Sequence, residues 1–374
     1  MRIAFFSTIL GYPWGGADTL WTSAAEAAAQ RGDALFISVS PVVAVSPRVA
    51  ALAAHGARIY LRTPIIAPAS LAARVARKLR RKVGGEDEGL VAALAAFRPD
   101  IVIFSLGGTY DLLAHPSWVA WLREAGVCFR LIANWQQENP RLSDSDRERA
   151  RDCLAAAERV SFVSTRNLVS TRRHLLDPLP NAQVIQNPLR WRPDDVTPWP
   201  VAPTWRLATV SRLDEGKGIQ LLLHALAGAG VGSDWILNIY GQGPAEGYLR
   251  ATIEHLHLAD QVRLRGYVTE LRAIWAENHL LVSPAIDDGV PMTIPEAMLC
   301  ERPVLATAVG GAEDWLSDGD TGFICPAPTL PLLAATLRDA FATPGRWESM
   351  GGAAAAAARA RYRPDDHLQL IARC

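Results

Sequence analysis

Two cations in one glycine-containing loop are the first residues whose types and spacing could do chemistry. Arg212 and Lys217 lie in the stretch VSRLDEGKG, which follows an apolar strand-like run and precedes the helical pattern Ile219 to Leu226. The N–H groups at a helix start favour an anion, and a guanidinium can hold two anionic oxygens at once. The loop therefore suits a diphosphate. The alternative is an ordinary turn between strand and helix with solvated charges.

Two carboxylates form a second candidate site. Asp288 and Glu296 are eight residues apart in the stretch DGVPMTIPEAM, the first in a loop after a predicted strand and the second in the first turns of a helix. A carboxylate at the second position could accept hydrogen bonds from a vicinal diol, such as that of a ribose. Equally, Asp288 could shape a turn with Gly289, and Glu296 could simply complement the helix dipole.

Two further motifs resemble known ligand loops but favour simpler interpretations. Asp144-Ser145-Asp146 has the spacing of a metal-binding pair, yet it opens a helix after Pro140, which indicates a capping role. The run from Gly241 to Gly247 has the wrong glycine spacing for a dinucleotide loop. We therefore expect no required metal and no dehydrogenase activity.

Tryptophans near the predicted loops could contact a sugar ring. Trp14 and Trp135 lie in loops that follow predicted strands, where an aromatic face could stack on a sugar. The alternative is that they are packing residues, as most tryptophans are. We interpret His115 as structural.

Alternating strands and helices must position these residues. Apolar strand-like runs alternate with helical patterns along the chain, which is typical of parallel α/β architecture. The strands predicted before residue 187 are Arg2 to Ser7, Ala34 to Val39, Ile101 to Ser105, Val127 to Ala133, Val160 to Ser164 and Ala182 to Ile185. Those predicted after residue 204 are Arg206 to Val210, Trp235 to Tyr240, Val262 to Arg265, Leu280 to Ser283 and Val304 to Ala306.

This pattern predicts two doubly wound, Rossmann-like domains. Residues 1–187 form the first, a proline-rich linker covers 188–204, and residues 205–352 form the second. A helical tail over 353–374 could pack back on the first domain. Ligands of such folds bind outside the carboxyl ends of the strands, so we expect the site in a cleft between two facing domains.

Composition excludes several classes of protein. With 374 residues, of which 49% are hydrophobic and 20% charged, the chain is too apolar to be disordered. It has no apolar run long enough to span a membrane and no recognisable secretory signal, so we expect a cytoplasmic protein with no nucleic-acid partner. The five scattered cysteines predict neither a disulfide framework nor a zinc site.

A basic segment in the first half could bind an anionic membrane surface. Its cations are Arg74, Arg77, Lys78, Arg80, Arg81 and Lys82, and its apolar residues follow a helical stripe from Leu71 to Val83. Peripheral association with the inner face of the cell membrane is one interpretation. A solvated helix packed by that stripe is the other.

Taken together, these motifs resemble the retaining glycosyltransferases of family 4, which have the two-domain GT-B fold. The resemblance runs over nearly the whole chain. It is carried by Gly15-Gly16, VSRLDEGKGIQLLLHAL from Val210, IYGQGP from Ile239, VRLRGYV from Val262, DGVPMTIPEAM from Asp288 and VGGAEDWLSDGDTGFICP from Val309.

The resemblance implies a role for each matching residue. Arg212, Lys217 and Asp288 would be catalytic, with both cations on the diphosphate. The donor, a UDP- or GDP-sugar, would also meet Gly15, Gly16, Tyr267, Val268, Gly289, Val290, Pro291, Met292, Thr293 and Glu296. The acceptor would meet Asn134, Trp135 and Trp14. No cofactor beyond the nucleotide sugar is implied.

The sequence departs from the family pattern at two positions. The family usually has glutamate where this chain has Asp288, and aspartate is shorter by one methylene, which puts the identity of the donor sugar in question. The family often has histidine where this chain has Asn134. Asparagine cannot titrate but can hydrogen-bond a sugar hydroxyl.

The function that the resemblance implies is transfer of a hexose-type sugar to an acceptor hydroxyl with retention of configuration and without a metal. The acceptor would be a glycan, a lipid or a small-molecule glycoside, and closure about the linker would exclude water. Two alternatives remain: a GT-B epimerase acting on nucleotide sugars, and a non-catalytic protein that binds them.

Overall fold

The computed structural model describes residues 1–9, 15–62, 85–189, 197–201 and 203–374. They form two compact units. Unit 1 comprises Met1–Pro188 together with Arg363–Cys374, and unit 2 comprises Leu189–Tyr362. Each unit is built on one parallel β-sheet.

Unit 1 contains a seven-stranded sheet with the strand order β3-β2-β1-β4-β5-β6-β7. In chain order its strands and helices are β1 (Arg2–Ser7), α1 (Gly16–Gln30), β2 (Ala34–Val39), α2 (Pro41–Ala44), α3 (Pro47–Ala54), β3 (Arg58–Leu61), α4 (Gly85–Phe97), β4 (Ile101–Leu106), α5 (Pro116–Glu124), β5 (Cys128–Ala133), α6 (Asp144–Ala156), β6 (Arg159–Phe162), α7 (Thr165–Leu175) and β7 (Ala182–Val184). The central strand β4 is buried at every residue, as expected of a parallel strand covered on both faces.

Unit 2 contains a six-stranded sheet with the order β10-β9-β8-β11-β12-β13. Its elements are β8 (Trp205–Val210), α8 (Ile219–Gly228), β9 (Trp235–Tyr240), α9 (Glu246–His255), β10 (Val262–Gly266), α10 (Leu271–Glu277), β11 (Leu280–Ser283), α11 (Thr293–Leu299), β12 (Val304–Thr307), α12 (Ala312–Trp315), β13 (Gly322–Cys325), α13 (Leu330–Ala342) and α14 (Trp347–Arg361). Both sheets are parallel throughout, so the predicted pair of doubly wound sheets is confirmed.

Each sheet has a point at which the strand order reverses direction. In unit 1 this point lies between the adjacent strands β1 and β4, and in unit 2 between β8 and β11. The loops leaving the carboxyl ends of such a strand pair run to opposite sides of the sheet, which opens a crevice between them. The loops after β8 and β11 contain the predicted cations and Asp288.

The segment just before β8 is fixed to unit 2 by buried polar side chains. Arg302 is fully buried and donates to the carbonyl oxygens of Trp275, Asn278 and Pro198. Burial lowers the pKa of Arg302 to about 10. His279, 1% exposed, accepts the N–H of Arg206 at Nδ1 (3.0 Å) and hydrogen-bonds the carbonyl oxygen of Pro200 through Nε2 (3.1 Å).

Two expectations are corrected by the structure. The helix α6 is capped by Ser143, whose Oγ accepts the N–H of Asp146, so the aspartates occupy its first turn instead of its cap. Cys128 and Cys374 form a disulfide, which the scattered cysteine pattern did not predict, because sequence separation says nothing of proximity in a fold.

Two predictions concern residues outside the part of the chain that the structure describes. The basic segment from Leu71 to Val83 lies outside the described residues, and so does Trp14. In the part of the chain that the structure describes, no helix combines the length and apolarity needed to cross a membrane.

Candidate functional site

The candidate site of unit 2 is built where the loops after β8 and β11 leave the sheet side by side. Glycines let the backbones of these loops touch. Gly218 has a φ of +65°, and a Cβ there would lie 1.9 Å from the carbonyl oxygen of Pro284, so only glycine fits. The carbonyl oxygen of Gly216 accepts the N–H groups of Ile286 at 2.8 Å and Asp287 at 3.1 Å. The two loops are therefore fixed against each other.

The loops after β9 and β12 join this cluster in the same manner. At Gly310 the φ is +56°, and a Cβ would lie 2.5 Å from the carbonyl oxygens of both Asp288 and Gly289. At Gly241 a Cβ would lie 1.8 Å from the carbonyl oxygen of Ser211. Four strand-end loops thus pack backbone against backbone, which explains the glycine-rich motifs of the sequence.

Lys217 and Asp288 form an ion pair within this cluster. The Nζ atom of Lys217 lies 2.7 Å from Oδ2 of Asp288, and both side chains are mostly shielded from solvent. The sequence predicted both residues for the site but not their contact. The carboxylate orients the ammonium group, which has three donors and needs only one for this bond.

Arg212 is oriented by a residue that the sequence analysis did not single out. Its Nε and Nη2 atoms both lie 2.6 Å from Oδ2 of Asp214. The carbonyl oxygen of Asp214 accepts the N–H of Lys217 at 3.2 Å. Asp214 therefore contacts both cation-bearing residues, one through its side chain and the other through its backbone. In the sequence, only the position of Asp214 two residues after Arg212 could have indicated this contact.

The second carboxylate and the loop before it follow β11. Glu296 is 5% exposed and lies in the first turn of α11, where a carboxylate complements the helix dipole. Of the loop from Gly289 to Thr293, Pro291 is buried while Val290 and Met292 are half-buried. Tyr267 and Val268 follow β10, at the far edge of the same sheet, and Tyr267 is 63% exposed.

Unit 1 brings together the loops after β1, β4 and β5. Thr8 Oγ1 donates to Oδ2 of Asp111 at 2.6 Å and accepts the N–H of Gly107 at 2.9 Å. The N–H of Gly108 donates to the same Asp111 oxygen at 3.0 Å. Asp111 thereby ties two of the loops, and nothing in the sequence pattern indicated this role.

Asn134, predicted to contact substrate, is held inside unit 1. It is 5% exposed, and its Nδ2 donates to Oγ of Ser105 and to the carbonyl oxygen of Leu106, each at 2.9 Å. Its Oδ1 atom is buried and has no hydrogen-bond partner among the residues that the structure describes. The next residue, Trp135, is half-buried, and its carbonyl oxygen accepts both N–H and Oγ1 of Thr109 at 3.0 Å.

Gly15 and Gly16 lie at the start of α1. Gly15 is the N-cap residue, and a Cβ there would meet no atom of the described residues within 4 Å. Its N–H donates to Oδ2 of Asp18 at 3.2 Å, while Trp21 Nε1 donates to Oδ1 at 3.1 Å. Burial raises the pKa of the Asp18 carboxyl above its usual range, and these hydrogen bonds oppose the shift.

Two parallel, doubly wound sheets of seven and six strands are the architecture of the GT-B class of fold. Residues 205–358 match the family model described as glycosyl transferases group 1. The Anabaena protein HepE, solved in complex with UDP, aligns with a TM-score of 0.76 at 18% identity, covering 99% of this chain and 98% of that one. Sucrose-phosphate synthase from Thermosynechococcus elongatus aligns with a TM-score of 0.72 at 18% identity, covering 99% and 97%.

Relatives identified by sequence similarity are also named as glycosyltransferases. The putative colanic acid biosynthesis glycosyltransferase WcaL of Salmonella typhimurium is 29% identical over 36% of this chain and 35% of its own length. The 2-deoxystreptamine N-acetyl-D-glucosaminyltransferase of Streptomyces fradiae is 26% identical over 78% of this chain and 76% of its own. The chain thus covers only about a third of WcaL, while the similarity to the second relative runs through most of both chains.

Proposed function

We propose that this protein is a glycosyltransferase that moves a sugar from a nucleoside diphosphate to an acceptor hydroxyl, with retention of anomeric configuration. The observation that carries the proposal is the placement of Arg212 and Lys217 at the switch point between β8 and β11, each oriented by a carboxylate. The match of this same region to glycosyl transferases group 1 supports it.

The chemistry requires charge stabilisation at the leaving group. When the bond between the anomeric carbon and the diphosphate oxygen breaks, negative charge develops on the diphosphate. Arg212 and Lys217 are assigned to that charge, because preoriented donors need little reorganisation during the reaction. Lys217 can retain Asp288 with one N–H and use the others for phosphate oxygens.

The remaining residues of unit 2 are assigned to the rest of the donor. We assign Glu296 to the ribose hydroxyls, because a carboxylate can accept two hydrogen bonds from a vicinal diol. The backbone at Tyr267 and Val268 is assigned to the base, and the loop from Gly289 to Thr293 to the sugar and phosphates. Asp288 is assigned a catalytic role beside Lys217.

In unit 1 we assign Gly15 and Gly16 to the donor diphosphate and Asn134 and Trp135 to the acceptor. The buried Oδ1 of Asn134, which has no partner within the described part of the chain, supports a hydrogen bond from a ligand hydroxyl, because an unsatisfied buried acceptor is costly. The Nδ2 contacts with Ser105 and Leu106 fix the orientation of that oxygen.

The relatives support a proposal for the classes of donor and acceptor. HepE was solved with UDP and with UDP-glucose, which supports a uridine diphosphate donor ahead of a guanosine one. The names of the relatives include biosynthesis of a polysaccharide and glycosylation of an aminocyclitol. We therefore propose that the acceptor is a glycan, a lipid or a small-molecule glycoside.

Calorimetric titration of the full chain with UDP and GDP tests the donor site. We expect one nucleotide to bind, and we expect both Lys217→Ala and Glu296→Ala to weaken that binding at least tenfold. Arg250→Ala is the matched control, because it removes an exposed cation on α9 that pairs only with Glu246 among the described residues. If neither nucleotide binds to the folded wild-type protein at millimolar concentration, the proposal fails.

Two further measurements test the reaction itself. Proton NMR of the first-formed product should show the anomeric configuration of the donor, whereas an inverted product would refute retention. Turnover should persist in excess chelator if the two cations replace a metal. Loss of turnover that magnesium restores would refute metal independence.

A further inference from the structure

The last twelve residues of the sequence form a segment that packs on unit 1, here called the strap (Arg363–Cys374). The chain enters it directly from α14 of unit 2. Its middle, Asp366–Ile371, forms a 3-10 helix. Leu370 and Ile371 are buried, 1% and 2% exposed. The strap is thus an integral part of the core of unit 1, contributed from beyond unit 2.

The buried guanidinium group of Arg130 donates hydrogen bonds to the backbone of the strap. Arg130 lies in β5 and is 2% exposed. Its Nη1 lies within hydrogen-bond distance of the carbonyl oxygens of Gln369 (2.8 Å), Leu370 (2.9 Å) and Ala372 (3.0 Å), and its Nε donates to Glu158 at 2.6 Å. Removing the strap would leave this charge largely unsatisfied, which is expensive in a buried position.

The beginning of the strap is fixed by a second set of hydrogen bonds. Asp366 accepts the N–H of Gln186 at 2.9 Å and Nε of Arg363 at 3.0 Å. The side-chain oxygen of Gln186 accepts the N–H of Arg363 at 2.8 Å. Arg31, just after α1, donates to the carbonyl oxygen of Ile371 at 3.1 Å. Noncovalent contacts therefore hold the strap along its whole length.

The far end of the strap is covalently bonded. Cys374 forms a disulfide with Cys128, the first residue of β5. Cys374 is exposed and Cys128 half-buried, whereas the other three cysteines, Cys153, Cys300 and Cys325, are buried free thiols. Nη2 of Arg130 lies 3.7 Å from Sγ of Cys374. Among the five cysteines, all of which the structure describes, only Cys128 and Cys374 combine a disulfide bond with exposure to solvent.

We propose that Cys128 and Cys374 are a reversible redox-modification site that sets how firmly the strap closes unit 1. A dithiol reductant attacks the exposed disulfide, the sulfur–sulfur bond breaks, and two protein thiols and the cyclic disulfide of the reductant result. Cys374 is the exposed partner, so a reductant can reach its sulfur directly, and exchange runs in either direction according to the thiol and disulfide concentrations around the protein.

Reversibility follows from the noncovalent contacts. After reduction, Arg130 and Asp366 still hold the strap in place, so the two thiols remain close and the disulfide re-forms when a disulfide oxidant is present. The residues near the broken bond, within 368–374, gain freedom because only hydrogen bonds and packing now hold them. Reduction therefore loosens the end of the strap without unfolding unit 1.

The test equilibrates the full chain with oxidised and reduced dithiothreitol at a series of ratios. Alkylation of the native protein followed by peptide mass spectrometry should show one two-electron transition that involves Cys128 and Cys374. The three buried cysteines are internal controls and should stay unmodified. Hydrogen exchange of the amides in 368–374 should become at least tenfold faster on reduction, while α13 stays unchanged.

Variants separate the disulfide from other effects of reductant. Cys374→Ser should reproduce the melting temperature of the reduced protein, several degrees Celsius below the oxidised one, and should not respond to dithiothreitol. The proposal is overturned if both thiols alkylate at every ratio, or if reduction leaves exchange and melting unchanged. Protection of the reduced thiols by added Zn²⁺, with Glu158 as third ligand, would instead identify a metal site.

Discussion

Lys217 and Asp288, 71 residues apart in sequence, place an ammonium nitrogen 2.7 Å from a carboxylate oxygen across the loops that follow β8 and β11. The shorter aspartate, at a position where glutamate is usual in the family that the sequence resembles, reaches the lysine directly because the loop backbones touch at Gly216 and Gly218. The pair therefore depends on the packing of the two loops.

Lys217→Ala should reduce kcat/KM for sugar transfer by about 100- to 1000-fold, the loss expected when one preorganised donor to a developing anion is removed. Steady-state kinetics measures this, with sugar derivatives of the nucleotide that calorimetry identifies as donors. Arg250→Ala serves again as the control and should retain wild-type rates. A loss below about threefold in Lys217→Ala would show that the ammonium does not contact the leaving group.

Asp214→Asn tests the residue that contacts both cation-bearing positions. The amide keeps the shape of the side chain but removes the charge that holds Arg212 at 2.6 Å. We expect weaker nucleotide binding and a kcat/KM reduced by about tenfold, as for loss of one charge-assisted hydrogen bond. An unchanged melting temperature would establish that the effect is local. Equal binding by wild type and variant would contradict the positioning role.

A pair of glycine substitutions isolates the loop contact from backbone strain. Gly218 and Gly230 have nearly equal φ values, +65° and +67°, but a Cβ at Gly230 meets nothing within 4 Å. Gly230→Ala should cost only the strain of the left-handed conformation, about 1–2 kcal/mol. Gly218→Ala must also displace Pro284, so its urea midpoint should fall further. Equal midpoints in the two variants would show that the loops are not in contact.

The stability of unit 2 should decrease as the pH falls below about 6.5, the usual pKa of histidine. Burial lowers the pKa of His279, and Arg302 and Arg206 nearby act in the same direction. Because the folded-state pKa lies below the unfolded one, the unfolded chain binds the proton more tightly. The stabilisation is therefore complete above the unfolded pKa and is lost as the pH falls toward the folded one.

Urea unfolding at a series of pH values measures this dependence. In His279→Gln, the contribution of His279 to the slope of the unfolding free energy against pH should disappear, whatever the change in absolute stability. His224→Gln, at an exposed position, is the control and should keep the wild-type slope. A His279 variant with the unaltered slope would assign the pH dependence to other groups.

The sequence predicted most strands because a parallel sheet demands continuous apolar runs. The two strands that it missed, β3 and β13, are the outermost strands at one edge of their sheets. In β3 no residue is fully buried, so the apolar signal is weak there. β13 is short but mostly buried, and β7, another outermost strand with no fully buried residue, was predicted, so edge position alone does not explain which strands a local pattern misses.

The sequence indicated the candidate site residues of unit 2 individually, but their contacts could not be predicted. Spacing indicated Arg212 and Lys217 as cations at a helix start, whereas pairing with Asp214 and Asp288 depends on how four loops pack. For Asn134, the sequence indicated a polar side chain at a strand end but not that its amide donates inward to Ser105. Side-chain direction is set by the neighbouring strand, which only the fold supplies.

The strap has a consequence for the order in which the protein is made. A ribosome synthesises residues 1–188, then all of unit 2, and only then the residues that complete unit 1. Until the strap is synthesised, Arg130 lacks its carbonyl partners in the strap. The apolar surface of unit 1 on which Leu370 and Ile371 pack also remains exposed to solvent. Unit 2 is continuous in the chain and has no such gap. Unit 2, although translated later than most of unit 1, can therefore finish folding first, because unit 1 must wait for residues 363–374.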